Sequence, residues 1–304
     1  MGGRLAQLLV QKGHAVVLGS RRAAKAPAWL PDSEVVQMEW SNPEQLRRVC
    51  RDVDAVAHLA GMNARECASK PADALSFNGD ATARLVNAAI GAGVKRFLYL
   101  STAHVYASAL IGDINEETST SAQHPYATSH LAGELAVREA HRRGQIVGIV
   151  VRLSNAVGAP THAQVDCWSL LVNDLVRQAV DTRTMTLHSD GTQRRDFVAM
   201  SEACRAIVHL LQLPSESIGD GLFNVGGGWS PTVLEMTQRV ASRFETLQVG
   251  PVSIRRARSA VVAQPCTLVY ERQRLLDSGF TPSNRVSIDE EIDSLILCCL
   301  QVPT

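Results

Sequence analysis

Several absences bound what this 304-residue chain can be. It has no excess of charge: 30 basic residues balance 30 acidic ones, so nothing in its overall electrostatics calls for nucleic acid or an anionic membrane surface as partner. It has no CxxC. Its seven cysteines (Cys50, Cys67, Cys167, Cys204, Cys266, Cys298, Cys299) are odd in number and scattered, which fits reduced thiols better than a disulfide framework or a zinc site. No metal centre is expected. There is no signal-peptide pattern, and the longest late apolar run, 295–300, is far too short to span a bilayer. Internal repeats and low-complexity tracts are also missing. These absences together point to a cytoplasmic globular protein, long enough for a large core.

What is present is an alternation. Apolar, strand-like runs at 15–18, 35–38, 55–59, 97–100 and 146–153 are separated by stretches at 4–12, 43–50, 72–93 and 127–143 with apolar residues at helical spacing. Such alternation predicts βαβ units: an α/β fold with a doubly wound parallel sheet covered by helices on both faces. Past Leu153 the rhythm breaks. A Gly/Pro-rich segment, 155–160, leads to a helix-like run at 168–180, a polar loop at 189–191, a return strand at 222–225 and a helix at 232–244. The expected organisation is a dinucleotide-binding domain over 1–155 and a smaller, interleaved substrate lobe over 156–304, with late sheet elements near 195–225.

The chemistry concentrates between Phe97 and Glu134. The run Phe97-Leu98-Tyr99-Leu100 ends in two hydroxyls, Ser101 and Thr102; Tyr126 then opens a helical segment, with His130 four residues on. A hydroxyl at a strand's C-terminal edge, a tyrosine and a basic residue one turn later form a proton-transfer triad. Ser101-Thr102-Ala103-His104-Val105-Tyr106 and Tyr126-Ala127-Thr128-Ser129-His130 resemble the marks of the extended short-chain dehydrogenase/reductase family, the NAD-dependent epimerase/dehydratase group: SS/ST-x-x-VYG and Y-x-x-x-K. The lysine of the second motif is His130 here.

The resemblance implies a Rossmann-like fold, a nicotinamide cofactor and roles for particular residues. Tyr126 would be the general acid/base, Thr102 would orient the substrate oxygen, Ser101 would stand beside it, and His130 would take the lysine's place at the nicotinamide ribose. A phenol with a pKa of about 10 needs a nearby cation to act as a base at neutral pH. With an unperturbed pKa of about 6.5, His130 is expected to be partly charged at pH 7. His58-Leu59-Ala60-Gly61 is similar to the family's HLAA/HLAG segment along the dinucleotide, which assigns Leu59, Ala60 and Gly61 to the cofactor. Asn78, read as early in a long helix, aligns with N-V-x-G-T. Asn155, in R-x-x-N-V-Y-G-P, and Arg195, in RDFV, would meet the diphosphate of a nucleotide-sugar, arginine's planar fork pairing two oxygens at once. Ala103-His104 replaces the Asp-Glu pair of the family's sugar dehydratases, so 4,6-dehydration is disfavoured.

Two further expectations concern the cofactor. A dinucleotide fold holds its pyrophosphate at a G-x-x-G-x-x-G turn entering the first helix. Met1-Gly2-Gly3-Arg4 is similar to the tail of that turn, Gly2 matching its third glycine; the first strand is then missing, as a misassigned start or a fragment would leave it. After the second strand-like run stand Gly19-Ser20-Arg21-Arg22, without the acid that NAD-preferring relatives carry there. Ser20 and Arg21 therefore point to NADP over NAD, with Glu39 on the adenine side. The functions in view are an epimerase or ketoreductase of a nucleotide-sugar, a non-catalytic dinucleotide-binding protein, and a reductase of a non-sugar carbonyl. A homodimer through the helix of Tyr126 is what the family resemblance implies.

Overall fold

The computed structural model describes residues 1–301 apart from positions 108, 163, 258–265 and 284–285. Its elements begin α1 (Gly2–Gln11), β1 (Val17–Ser20), β2 (Glu34–Gln37), α2 (Pro43–Val49), β3 (Ala55–His58), α3 (Ala64–Ser69) and α4 (Pro71–Ala74). There follow α5 (Ala81–Ala92), β4 (Arg96–Thr102), β5 (Gly112–Ile114), α6 (Pro125–Arg142), β6 (Val147–Leu153), β7 (Asn155–Val157), α7 (Leu171–Thr182) and β8 (Thr184–Leu187). The chain continues through β9 (Phe197–Ala199), α8 (Met200–Gln212), β10 (Leu222–Val225), α9 (Val233–Thr246), β11 (Ser253–Arg256), β12 (Leu268–Tyr270), α10 (Gln273–Asp277) and α11 (Val286–Gln301).

The central sheet has the order β10-β6-β4-β3 with every pair parallel, and β1-β2 form a separate parallel pair. Period-two alternation gives the sheet two apolar faces. Leu98, Ile149, Val151, Phe223 and Val225 pack against α1, α8 and α10, while Phe97, Tyr99 and Val150 pack against α2, α5 and α6. Each such fully buried side chain contributes roughly 1.5–3 kcal/mol by removal from water. A third apolar cluster, from Val157 to Cys299, is built by α7, α9, α11 and the short strands β8 and β9.

Local signals place the helix ends. Asn42 accepts the Gln45 N–H ahead of α2; Asn63 with Glu66, and Thr232 with Glu235, form capping boxes at α3 and α9. Pro125 sits at the first position of α6, and His124 Nδ1 accepts the Tyr126 N–H. Gly93, at φ 82°, ends α5 in the left-handed conformation that a side chain would resist.

One expectation fails here. The stretch 72–93 is not a continuous helix: α4 passes into a π-helical turn, Leu75–Asp80, before α5 begins. The widened turn carries Asn78, which is fully buried rather than early on a long α-helix. Such bulges re-aim a side chain without ending the helix.

Candidate active site

Parallel strands leave their C-terminal ends together, and the candidate residues meet there. Thr102 closes β4, 5 % exposed, with its Oγ1 accepting the His104 N–H at 3.2 Å. Tyr126, half-buried at the start of α6, lies against His130 one turn on, ring centroids 4.6 Å apart and edge to face. Desolvation raises the Tyr126 pKa above its ordinary value; hydrogen bonding to the Thr102 hydroxyl acts the other way but less strongly.

His130 departs from the sequence-based expectation. It is 6 % exposed, and burial, helped by repulsion from His58, pushes its pKa down to about 4. At pH 7 it is therefore a neutral imidazole and not a partly charged substitute for lysine. The cause is tertiary: the ring is enclosed by Tyr99, which bonds its Nδ1 at 2.9 Å, and by Tyr126. Behind Tyr99 stands His58, also buried, also pushed down to about 4 by burial, with Nε2 3.0 Å from Thr82 Oγ1.

The loop after β3 reaches the same edge. Asn78 Oδ1 accepts the Met62 N–H at 2.8 Å and its amide donates to Ser129 Oγ at 3.0 Å, tying Leu59, Ala60 and Gly61 to α6. Gly61 is bare where it matters: a Cβ there would stand 3.4 Å from Asn78 Oδ1 and 3.7 Å from His130 Nε2. Ser101 does not face the mouth. Its hydroxyl donates to Glu134 Oε1 at 2.5 Å, and Glu134 pairs with Arg152 through Nε and Nη2, the shortest contact 2.7 Å. Both partners are buried. Neither was singled out from the sequence for this role. Helical spacing carried the signal, since Glu134 follows His130 by one turn on a buried face.

The remaining candidates lie around this centre. His104 stands 6.5 Å from Tyr126, ring to ring, its pKa lowered by desolvation and then by the neighbouring charges of Arg195 and His124. Arg195 is thus near the mouth, with Nη2 donating to Gln193 Oε1 at 3.2 Å. Asn155 donates one amide N–H to the Asp196 carbonyl at 2.9 Å, joining β7 to β9, and its other amide N–H has no partner among the described residues. Ser20 ends β1, and the exposed Arg21 makes no ion pair among the described residues. Glu39, just past β2, accepts the Asn42 amide at 3.0 Å. Gly2 is the exposed first residue of α1. Two cavities, of about 230 and 640 Å³, open elsewhere, at Glu116, Leu135 and Leu222 and at Asp220, Phe223 and Arg274; none of Thr102, Tyr126 and His130 lines them.

Residues 1–226 match the NAD dependent epimerase/dehydratase family. The chain belongs to that family. Among curated relatives it is 30% identical over 237 residues to UDP-glucose 4-epimerase of Azospirillum brasilense, covering 73% of this chain and 67% of that one. It is 23% identical over 211 residues to the low-salt glycan biosynthesis protein Agl12 of Haloferax volcanii (69% of this chain, 66% of that protein). To dTDP-glucose 4,6-dehydratase of Actinoplanes sp. it is 29% identical, over 61% of this chain and 56% of the relative. The matched stretch thus spans between about half and two thirds of the relatives' own length. Among solved structures, UDP-N-acetylglucosamine 4-epimerase from Methanobrevibacter ruminantium superposes with a TM-score of 0.81 at 18% identity, covering 98% of this chain and 94% of that one. The protein MoeE5, solved with UDP-glucuronic acid and NAD, gives 0.78 at 23% over 97% and 94%. These likenesses establish the Rossmann-type parallel α/β fold. No helix among the described residues is long and apolar enough to cross a membrane.

Proposed function

We propose that the chain is an NAD(P)-dependent oxidoreductase of a nucleotide-sugar and that it works in the direction of carbonyl reduction. The observation that carries this reading is the meeting of Thr102, Tyr126 and His130 at the C-terminal edge of β4, with no cationic side chain acting on the phenol among the described residues. The nucleotide-sugar comes from the relatives, an epimerase of UDP-glucose and a dehydratase of dTDP-glucose among them.

The residues present suit a dinucleotide. Gly61 leaves an open face beside His130 Nε2, which has no hydrogen-bond partner among the described residues and suits a ribose hydroxyl. Arg21 and Ser20 stand at the end of β1 for the adenosine end, the arginine favouring a 2′-phosphate; Gly2 opens α1 for the pyrophosphate. A reduced nicotinamide held there would supply the hydride for the carbonyl carbon and be oxidised in turn.

The chain's own residues then handle the oxygen. Thr102 donates a hydrogen bond that orients it, and Tyr126 gives it the phenolic proton, leaving a phenolate that solvent reprotonates. A protonated phenol is the form this site favours, and proton donation to a forming alkoxide is downhill because an alkoxide is the stronger base. The reverse step, oxidation of an alcohol, needs the phenolate first, which desolvation opposes here. Arg195 and the second amide N–H of Asn155 serve the diphosphate.

The test is the loss of NADPH or NADH absorbance with keto forms of UDP- and dTDP-linked sugars. Turnover with Tyr126→Phe inactive but still binding cofactor is the expected result. Cofactor binding without turnover on any such substrate would favour a second reading, a non-catalytic dinucleotide-binding protein, for which the uncharged His130 is the specific observation.

A further inference from the structure

Behind His130 lies a buried set of groups, His58, Thr82, Asn78 and Tyr99, joined by hydrogen bonds. The Asn78 carbonyl accepts the Thr82 hydroxyl at 2.7 Å. With its one proton so used, Thr82 Oγ1 acts as acceptor, and His58 donates to it from Nε2–H at 3.0 Å. Tyr99 then has two acceptors within reach: the same carbonyl at 3.4 Å and His130 Nδ1 at 2.9 Å. The carbonyl contact is near the limit of a hydrogen bond, whereas the contact with the imidazole is short. Burial raises the Tyr99 pKa, so the phenol keeps its proton. That proton goes to His130 Nδ1. A neutral imidazole whose Nδ1 accepts carries its proton on Nε2.

Packing holds the phenol in place from three sides. The Tyr99 ring lies between His58 and His130, with centroids 5.7 and 5.8 Å away. On α6, Gly133 opens the space for the hydroxyl: a Cβ there would stand 2.6 Å from Tyr99 Oη and 2.8 Å from the Asn78 carbonyl oxygen. On the far side of the imidazole, Nε2 faces Gly61.

We propose that Tyr99 is a positioning residue for His130. Its hydroxyl, seated in the space left by Gly133, holds the imidazole in the Nε2–H form and aims that N–H at the Gly61 edge as a fixed donor to a ribose hydroxyl. The inference rests on reading that edge as the cofactor site. An ammonium group donates whatever surrounds it, whereas an imidazole nitrogen donates or accepts according to its tautomer. Where histidine stands at this position, something behind it must choose, and Tyr99 does so.

The experiment uses the full chain labelled with 15N-histidine, read by NMR for the tautomer of His130, and fluorescence titration with NADH and NADPH. The wild type is expected in the Nε2–H form. Tyr99→Phe should give mixed tautomers and weaken cofactor binding by about 2- to 10-fold, the range of one hydrogen bond. In the His130→Ala background the same substitution should change binding by less than about twofold, because its effect passes through the imidazole. Gly133→Ala, which keeps the hydroxyl but displaces it, should also mix the tautomers. An Nδ1–H wild type that binds cofactor, or an undiminished effect of Tyr99→Phe in the His130→Ala background, would overturn the role of Tyr99 alone. A wild type that binds neither NADH nor NADPH would overturn the cofactor-site reading and the donor role with it.

Discussion

Placing a permanent charge beside Tyr126 tests the reductive reading most directly. In His130→Lys the ammonium replaces a neutral imidazole whose ring centroid lies 4.6 Å from that of the phenol. At that separation and an effective dielectric of about 20, a unit charge favours the phenolate by about 3–4 kcal/mol; partial exposure of Tyr126 reduces this to roughly 2–3 kcal/mol. The phenolate population at a given pH should rise by one to two orders of magnitude. Alcohol oxidation, which needs phenolate, should speed up by a comparable factor near pH 8. Carbonyl reduction, which needs phenol, should change little at pH 6 and decline earlier as pH rises. The assay is kcat against pH in both directions for the wild type and His130→Lys on the same substrate pair. In the wild type, His130 is pushed down to about 4, so it should add no ionisation between pH 5.5 and 8. A limb near pH 6.5 in the wild type that disappears in His130→Gln would show that the imidazole titrates normally and that burial does not hold it neutral.

Three further outcomes are expected. His58 and His130 have folded pKa values lowered to about 4 from 6.5, so the unfolded chain binds more protons over that interval. Their contribution to stability is complete above pH 6.5 and is lost as pH falls towards 4, by about 3 kcal/mol for each group at most; thermal unfolding against pH should show a shallower decline in His130→Gln, and an unchanged slope would contradict it. Glu134→Ala strands the buried Arg152 guanidinium and releases Ser101, which should cost about 3–5 kcal/mol in urea unfolding; a loss below 1 kcal/mol would mean that water reaches the pair. Replacing Ser20 by Asp together with Arg21 by Gln should move cofactor preference from NADP towards NAD in direct binding titrations, and a wild type that already prefers NAD would refute the reading of that loop.

Much of this protein was legible in one dimension because its governing forces are local. The β4 hydroxyls and the tyrosine of α6 take their places from strand parity, from Pro125 and His124 at the helix start, and from one-turn spacing. The alternation of apolar runs located the strands of the central sheet to within one or two residues, because each must bury its faces between helices. The 72–93 stretch read as one helix since a π-turn keeps nearly the same apolar spacing; only the need to bury Asn78 against Ser129 and the Met62 backbone exposes it. The charge on His130 lay beyond the sequence altogether. Letters four apart show that an imidazole lies one turn from a phenol, but an ionisation state depends on the whole enclosure. That enclosure is assembled from β3, β4 and α6, and its desolvation outweighs the intrinsic basicity of the ring. Burial in the same enclosure keeps the proton on Tyr99, and the Glu134–Arg152 pair exists only because α6 and β6 are brought together. Sequence determined which groups were available and on which faces; the packing of distant elements decided which of them keep their protons.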